Sequence, residues 1–337
     1  MELAMKLKSI VQRFVPEHIY GAAWGIYRSG EMTLGSAGWT TQSGLDPITP
    51  DTWFDLASLT KVIGTLPAIL VASQHRRLAL NNPIGHWMPE LSVSVQRQTI
   101  RALLSHTAGL PSGFEVIGPS YLPTPAAIWE RVRTLTVTDS KHQAVYSDIG
   151  YFLLGLIVER VWGKPLVRVV QEDVLPAPPI CLKERVDPLT ASVAATRYCP
   201  TRQRIIQGEA QNRVVAVWGQ ALGHAGLFST ARSVLQYGIW WLSQLNQSPF
   251  EEAVQPVVAG RGLGWMLAGC PQLPNVPWPP DAFGHTGFTG TSLVAIPGRQ
   301  LVAVLLTNRT HPNMDNPWIR PMREEFYAAV LADSVDF

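Results

Sequence analysis

The sequence predicts an α+β protein in which both ends of the chain build one sheet and a mostly helical segment is inserted between them. Strand-like hairpins occur near each end, "YGAAWGIYRSGEMTLGSAGWT" at 20–40 and "TSLVAIPGRQLVAVLLTN" at 291–308. Helical periodicity is concentrated between these hairpins. We therefore predict a sheet domain formed by 1–65 and 226–337, and a mostly helical lobe at 66–225.

Each hairpin contains a turn signal between two strand-like runs. In the first, the Ser-Gly pair of "RSGE" separates runs of apolar and aromatic residues. In the second, "PGR" separates two nearly continuous apolar runs, which are typical of strands covered on both faces. The second hairpin thus predicts a sheet with helices packed against it.

Four segments predict helices. The first residues, "MELAMKLKSIVQRFV", favour an amphipathic helix, and apolar residues recur at helical spacing over 59–70, where Pro67 should bend the helix. A strong helix is predicted in "SDIGYFLLGLIVERVWG", with Gly163 as its stop, and a last one in "PWIRPMREEFYAAVLA". The weakly periodic stretch 170–225 predicts long loops with short helices.

Composition narrows the class of protein. The chain has 337 residues, 46% hydrophobic and 15% charged, which is too apolar for a disordered chain. Its net charge of +2 and the absence of a basic run argue against a nucleic-acid partner. Because the start lacks an unbroken apolar stretch and no run of 18 apolar residues follows, we expect no membrane partner and a cytoplasmic location. The oligomeric state stays open.

Three cysteines give no sign of a disulfide framework or of a zinc site. They lie at Cys181, Cys199 and Cys270, an odd number without a CxxC pair. The histidines show no HExxH or other metal-ligand spacing either. We expect no metal and no cofactor.

The stretch "SLTK" contains the first candidate for catalysis. Ser58 and Lys61 are three residues apart, and on a helix such residues share one face with Cβ atoms about 5 to 6 Å apart. A neutral lysine there could take the serine proton, and N–H groups at a helix start could stabilise a negative oxygen. Serine is equally a common helix N-cap, so this motif alone leaves both interpretations open.

Two further motifs contain polar groups in loop-like positions. In "VYSDIGY", Tyr146 could act in proton transfer beside an ammonium such as that of Lys61, whereas Asp148 could simply cap the next helix. In "FGHTGFTGTS", His285 and Thr286 begin the next-to-last strand.

The same stretch suggests a place for a substrate. Gly287 would let a substrate come close, and the N–H of Phe288 could complete an oxyanion hole with that of Ser58.

Taken together and in this order, "SLTK", "YSD" and "HTG" resemble the serine β-lactamase and penicillin-binding-protein superfamily. The stretches "LLSHTAGLPSG", "GHAGLFSTARSV" and "HTGFTGTSLVAIP" are similar to its class C-related branch, which includes esterases and D-amino-acid peptidases. The resemblance implies a five-stranded antiparallel sheet flanked by helices, an all-α insertion lobe, and an active site in the cleft between them.

The resemblance also implies roles for individual residues. Ser58 would be the acylated nucleophile, Lys61 its hydrogen-bonded base, and Tyr146 a proton shuttle to the leaving group and the deacylating water. Asp148, His285, Thr286, Gly287 and Phe288 would form the substrate-binding and oxyanion region.

Two of these positions differ from the commonest family pattern. Asp148 stands where Asn is common, and an ionised Asp cannot donate a hydrogen bond to a substrate amide. His285 replaces the lysine of "KTG", so a permanent cation for a substrate carboxylate is missing there. Both changes favour a carboxylesterase-like serine hydrolase acting on small esters.

Other functions stay open at this stage. A β-lactamase, or a D-amino-acid peptidase with penicillin-binding activity, is the alternative enzyme, and its substrate would be β-lactam-like. A non-catalytic protein that binds acyl or cell-wall fragments is the alternative of another class. The sequence has no GxSxG motif, which argues against an α/β-hydrolase. It also has "GEAQNR" where relatives often have a His-Asp pair, so any role of that pair is lost or moved here.

Overall fold

The computed structural model describes residues 2–114, 124–138, 144–176, 180–200 and 202–333. Its strands are β1 (Gly21–Arg28), β2 (Glu31–Gly38), β3 (Phe54–Asp55), β4 (Arg197–Cys199), β5 (Arg204–Ile206), β6 (Phe228–Ser229), β7 (Met266–Leu267), β8 (Phe283–Thr286), β9 (Ser292–Ile296) and β10 (Leu301–Thr307).

The α-helices come from all parts of the chain. They are α1 (Glu2–Gln12), α2 (Leu66–Gln74), α3 (Val93–Gln96), α4 (Ile100–Leu104), α5 (Pro125–Arg133), α6 (Asp148–Trp162), α7 (Leu166–Val169), α8 (Arg213–Trp218), α9 (Ala231–Gln244), α10 (Phe250–Ala253) and α11 (Ile319–Asp333). Two π-helical turns, at Lys61–Thr65 and Val170–Val174, and two 3-10 turns, at Ile84–His86 and Pro297–Arg299, complete the helical elements.

The central sheet has the order β2-β1-β10-β9-β8-β7, and every neighbouring pair is antiparallel. The first and last parts of the chain meet in its middle, where Trp24 of β1 is opposite Leu305 of β10. The antiparallel α+β class is therefore confirmed. The described sheet has six strands instead of five because β7, only two residues long, pairs with the edge of β8.

Helices cover both faces of this sheet. One hydrophobic cluster joins α1 and α11 to one face, with Leu7, Phe326 and Ala303 among its members. A larger cluster joins α9 to the other face, and Leu235 and Val304 belong to it. The nearly continuous apolar runs of β9 and β10 are explained by this double cover.

The larger cluster also extends through the helices of the middle segment. Val62, Leu66, Leu153 and Leu227 all belong to it, so one core runs across the predicted boundary at residue 65. The division into two domains therefore stays a prediction, although the helical character of the middle segment is clear from α2 to α8.

The strong predicted elements occur close to their expected positions. The hairpin β1–β2 turns at Ser29 and Gly30, and α6 ends at Gly163 in the left-handed conformation. Pro67 lies in the first turn of α2, directly after the π-helical turn Lys61–Thr65. The helix type therefore changes just before the proline, and the expected bend stays a prediction. No described helix has the length and apolar character needed to cross a bilayer.

A close contact between α6 and a loop supports a stability prediction. A Cβ atom on Gly155 would lie 2.5 Å from the backbone nitrogen of Gly223, whereas the nearest atoms to a Cβ on Gly150 are 3.8 Å away. We expect Gly155→Ala to lower the free energy of unfolding by about 1 to 3 kcal/mol, because the loop backbone must move.

The control for this prediction is Gly150→Ala on the same helix. It should be neutral or stabilising by up to about 1 kcal/mol, because alanine loses less backbone entropy than glycine on folding. Urea denaturation of both variants measures the difference, and equal stabilities would contradict the packing argument.

Candidate active site

Ser58 lies in a tight turn directly after β3. Ala57 has a φ of 47°, in the left-handed region, and its N–H donates to Oδ1 of Asp55 over 2.9 Å. The second carboxylate oxygen of Asp55 accepts the N–H of Gln211 over 2.8 Å. Burial raises the pKa of Asp55 to about 6, against the two bonds that lower it. These bonds hold the turn in the shape that presents Ser58.

The ammonium group of Lys61 is the centre of the site. The side chain is fully buried, and Nζ donates to Ser58 Oγ over 3.1 Å, to Asp148 Oδ1 over 2.7 Å and to the backbone carbonyl oxygen of His224 over 3.0 Å. Three separate parts of the chain therefore meet at one nitrogen atom. The predicted approach of Lys61 to Ser58 is present.

Lys61 and Asp148 form a charged pair. Burial lowers the pKa of Lys61, but the Asp148 carboxylate and Tyr146 together raise it above its ordinary value. Burial raises the pKa of Asp148, but the charge of Lys61, the hydrogen bond from Lys61 and the neighbouring histidines together lower it below its ordinary value. Lys61 is therefore an ammonium at neutral pH, and the position where relatives commonly have Asn carries its counter-ion.

Tyr146 lies between two cations and two histidines. Its ring centroid is 4.9 Å from Lys61 Nζ and 5.6 Å from the guanidinium carbon of Arg261. The ring also lies 4.6 Å from that of His106 and 6.2 Å from that of His285, between centroids. The second motif is thus brought beside the first and the third.

His106 positions the segment that carries Tyr146 and Asp148. Its Nδ1 accepts the backbone N–H of Ser147 over 3.0 Å, and Ser147 in turn caps α6. Burial lowers the pKa of His106 well below its ordinary value, so the ring is neutral and can accept this bond.

His285 is fully buried on β8. Its Nδ1 lies 2.9 Å from the carbonyl oxygen of Thr286, and its Nε2 has no hydrogen-bond partner among the described residues. Burial, together with the charges of Lys61 and Arg261, lowers the pKa of His285 to about 3. At this position the site therefore has a neutral ring.

The loop after β8 is tied to the turn that carries Ser58. The hydroxyl of Thr289 donates to the carbonyl of Asp55 over 2.6 Å, and that of Thr291 donates to the carbonyl of Leu56 over 2.9 Å. A Cβ on Gly287 would lie 2.1 Å from Thr291 Oγ1, so this glycine makes room for the protein's own atoms.

Phe288 lies at the tip of this loop and is half-exposed. Arg323 fixes the loop by donating to the carbonyl of Gly287 over 3.1 Å and to that of Thr291 over 2.7 Å. Within the part of the chain that is described, the N–H groups of Ser58 and Phe288 have no hydrogen-bond partner. Both are therefore available to a negative oxygen.

A cleft of about 510 Å³ opens above Ser58. Tyr146, Asp148 and Phe288 line it, together with Gly113, Phe114, Arg197, Gln211, Asn212, Arg213 and Met314. His285 lies beneath this surface. No group of three His, Cys, Asp or Glu side chains within the described ranges could hold a metal ion.

Sequence reasoning missed several residues of this site. Asp55 accepts a bond from the Ser58 turn, His106 accepts the N–H of Ser147, and Arg261 lies near the Tyr146 ring. Arg197 lines the cleft from the hairpin β4–β5. The stretch "GEAQNR", which lacks the His-Asp pair common in relatives, contributes Gln211, Asn212 and Arg213 to the cleft. The quoted stretch "LLSHTAGLPSG" contains His106, and it is the local signal that could have pointed to that residue.

The fold and this constellation define a serine-hydrolase scaffold of the β-lactamase and transpeptidase type. The chain belongs to the Beta-lactamase family, whose profile matches residues 7–323. The family resemblance predicted from the three motifs is confirmed.

Individual similar proteins have several activities. The chain is 29% identical to an N-acetylmuramyl-L-alanine amidase of Bacillus subtilis, over 80% of this chain and 71% of that protein. It is 27% identical to a putative D-alanyl-D-alanine carboxypeptidase of Salmonella agona, over 81% and 73%. A class C β-lactamase structure from Rhodobacter sphaeroides has 20% identity, a TM-score of 0.76, and coverage of 97% and 99%, which supports the fold.

The charged pair leads to a stability prediction for Asp148→Asn. Without the carboxylate, burial dominates and the pKa of Lys61 falls below its unfolded value of about 10.4. At pH 7 we expect a loss of about 3 to 5 kcal/mol in the free energy of unfolding, because a buried charge is left uncompensated. In the unchanged protein, the raised pKa of Lys61 contributes fully to the free energy of unfolding at every pH below the unfolded pKa of lysine. This contribution is therefore constant from about pH 7 to 9.5. The variant should regain stability over that range, as Lys61 deprotonates.

Urea denaturation of both proteins at pH 7 and 9.5 tests this prediction. The other charged and titratable groups near Lys61 are the same in both proteins, so their pH dependence cancels in the comparison. These groups are Tyr146, Tyr151, His106, His224, His285 and Arg261. Glu172→Gln, which removes one partner of the exposed Lys164, is the control and should cost less than about 1 kcal/mol. A pH-independent difference for Asp148→Asn would contradict the assigned charge state.

Proposed function

We propose that this protein is a serine hydrolase that works through a covalent acyl-enzyme on Ser58, with carboxylesters of small molecules as its preferred substrates. The observation that carries the proposal is the 3.1 Å contact of Lys61 Nζ with Ser58 Oγ at the wall of the cleft. A nucleophile, a cation and a phenol in one cleft are the parts that acyl transfer requires.

In this proposal the hydroxyl of Tyr146 relays the proton of Ser58: it accepts that proton as it gives its own to the leaving group, so the phenol is unchanged after the step. Lys61 is already charged through its pair with Asp148, so its role is to donate to Ser58 Oγ and stabilise the oxygen as its proton leaves. Arg261 adds positive charge on the phenol ring, at 5.6 Å from its centroid. When water attacks the acyl-enzyme, the same hydroxyl accepts a proton from the water and gives its own to Ser58 Oγ, which releases the acid and restores the serine.

The oxyanion is stabilised by the N–H groups of Ser58 and Phe288. The bonds of Thr289 and Thr291 to the carbonyls of Asp55 and Leu56 support this assignment, because they join the two donor segments. Hydrogen-bond donors that are already fixed in position need not reorient when negative charge develops on the substrate oxygen.

The preference for esters follows from two side chains. Asp148 lines the cleft as an acceptor that is already bonded to Lys61, so it offers no N–H to a substrate amide. His285 is buried and neutral and supplies no cation to a substrate carboxylate. An ester that places no amide beside Asp148 and no carboxylate beside His285 loses least from both features.

The second candidate is cleavage of an amide in a cell-wall peptide or a β-lactam. It is favoured by the names of the two curated relatives, an amidase and a putative D-alanyl-D-alanine carboxypeptidase, at 29% and 27% identity.

We expect Ser58→Ala to abolish both p-nitrophenyl acetate hydrolysis and labelling by a fluorophosphonate probe. The turnover should fall on the order of 10³-fold or more, since the nucleophile itself is lost. Exposed Ser43→Ala is the control and should keep normal turnover and labelling. Steady-state kinetics and intact-mass spectrometry measure the two effects.

Labelling of Ser58→Ala at the unchanged level would remove Ser58 as nucleophile. A chain that neither turns over nor forms an adduct would instead be a binding protein for acyl or cell-wall fragments. Faster turnover of nitrocefin or of a D-Ala-D-Ala peptide than of the ester would replace the ester assignment by the amide one.

A further inference from the structure

A second cavity of about 240 Å³ lies beside the Ser58 cleft. The two share the side chains of Arg197, Gln211 and Arg213, so the second cavity adjoins the wall of the first. We call it the side cavity, and its remaining walls include Cys199, Arg202, Ile206, Ala210 and Val217.

The charges of the two cavities are unequal. Three arginines, Arg197, Arg202 and Arg213, line the side cavity, and none of its described lining residues is acidic. In the cleft, Asp148 is the only acidic residue among the described ones, and Lys61 already neutralises it. The shared wall therefore carries net positive charge.

Arg197 lacks the carboxylate partner that the neighbouring arginines Arg202 and Arg204 have among the described residues. Glu209 forms ion pairs with Arg204 and, over 3.1 Å, with Arg202. Arg197 has no ion pair with a carboxylate in the described ranges. Among the described residues, its guanidinium donates from Nη2 to the carbonyl of Gln211 over 3.3 Å and from Nη1 to Met314 Sδ over 3.6 Å.

The Nε atom of Arg197 is buried and has no hydrogen-bond partner among the described residues. A guanidinium that only supported its hairpin would be expected to satisfy this donor, because a buried unpaired N–H costs free energy. Its planar fork matches a carboxylate, which would accept two parallel N–H bonds.

We propose that Arg197 forms a carboxylate subsite at the side cavity, so that the preferred substrate carries a carboxylate remote from the bond that is cleaved. This inference rests on the proposed hydrolysis at Ser58. Arg197 lines the cleft whereas buried His285 does not. The inference thus assigns the substrate's anionic group to a residue outside the three motifs.

Matched pairs of esters test the proposal. On the acyl side the pair is mono-p-nitrophenyl glutarate and p-nitrophenyl valerate, and on the leaving-group side it is 3-acetoxybenzoate and phenyl acetate. In each pair the two esters differ by a carboxylate, so the ratio of their kcat/KM values, corrected for their uncatalysed rates, reports its recognition. The pair that responds shows on which side of the bond the carboxylate lies.

We expect Arg197→Gln to lower this ratio about tenfold or more in one of the two pairs, equivalent to about 1.4 kcal/mol. The matched control is Arg204→Gln, which removes the same charge from the same hairpin at a guanidinium that is paired with Glu209. Its ratio should stay within about twofold of normal, because exposed pairs contribute little. Raising NaCl should lower the ratio in the unchanged protein and less so in Arg197→Gln.

The outcomes separate this inference from the proposed function. If p-nitrophenyl valerate is hydrolysed with Ser58 dependence but Arg197→Gln leaves both ratios as they were, the subsite is wrong and the hydrolase stands. If Arg197→Gln and Arg204→Gln lower a ratio equally, the effect is one of general charge and the subsite is also wrong. Absence of Ser58-dependent hydrolysis of every ester would overturn the proposed function itself, and a remaining affinity for glutarate that Arg197→Gln lowers would still support the subsite.

Discussion

The buried ammonium of Lys61 is the interaction on which the arrangement of the site depends. A fully buried charge is tolerated only with a counter-ion and with acceptors for its three N–H groups. Lys61 takes these from the Ser58 turn, from the start of α6 and from the loop at His224. Any shift of one of these segments would leave an unsatisfied donor, so they are positioned around one nitrogen atom.

Charge in this site is distributed differently from the pattern that the motifs imply for the family. The carboxylate of Asp148 balances Lys61 and keeps it protonated, while His285 is neutral because burial opposes its charge. Positive charge comes instead from Arg261 behind the Tyr146 ring and from Arg197 at the wall of the cleft. The loss of a cation at one motif position therefore does not make the cleft as a whole neutral.

Much of the fold was predictable because local signals and tertiary packing agree there. The hairpin β1–β2, helix α6 with its Gly163 stop, and the hairpin β9–β10 each combine a hydrophobic period with a turn or cap residue. Strand β7 was missed because two residues have no period of their own and pair only through the edge of β8. The stretch 170–225 likewise has short elements whose partners are distant in sequence.

The sequence by itself determined the family, the antiparallel α+β class and which three motifs meet, since motif order and hydrophobic period are properties of the chain. Only the tertiary structure decided the charge state of Lys61, because burial and the ion pair with Asp148 depend on distant segments. It also decided which residues line the cleft, so that Arg197 and Arg213 face it and His285 does not. Such proximities come from folding across long sequence separations, and no local pattern contains them.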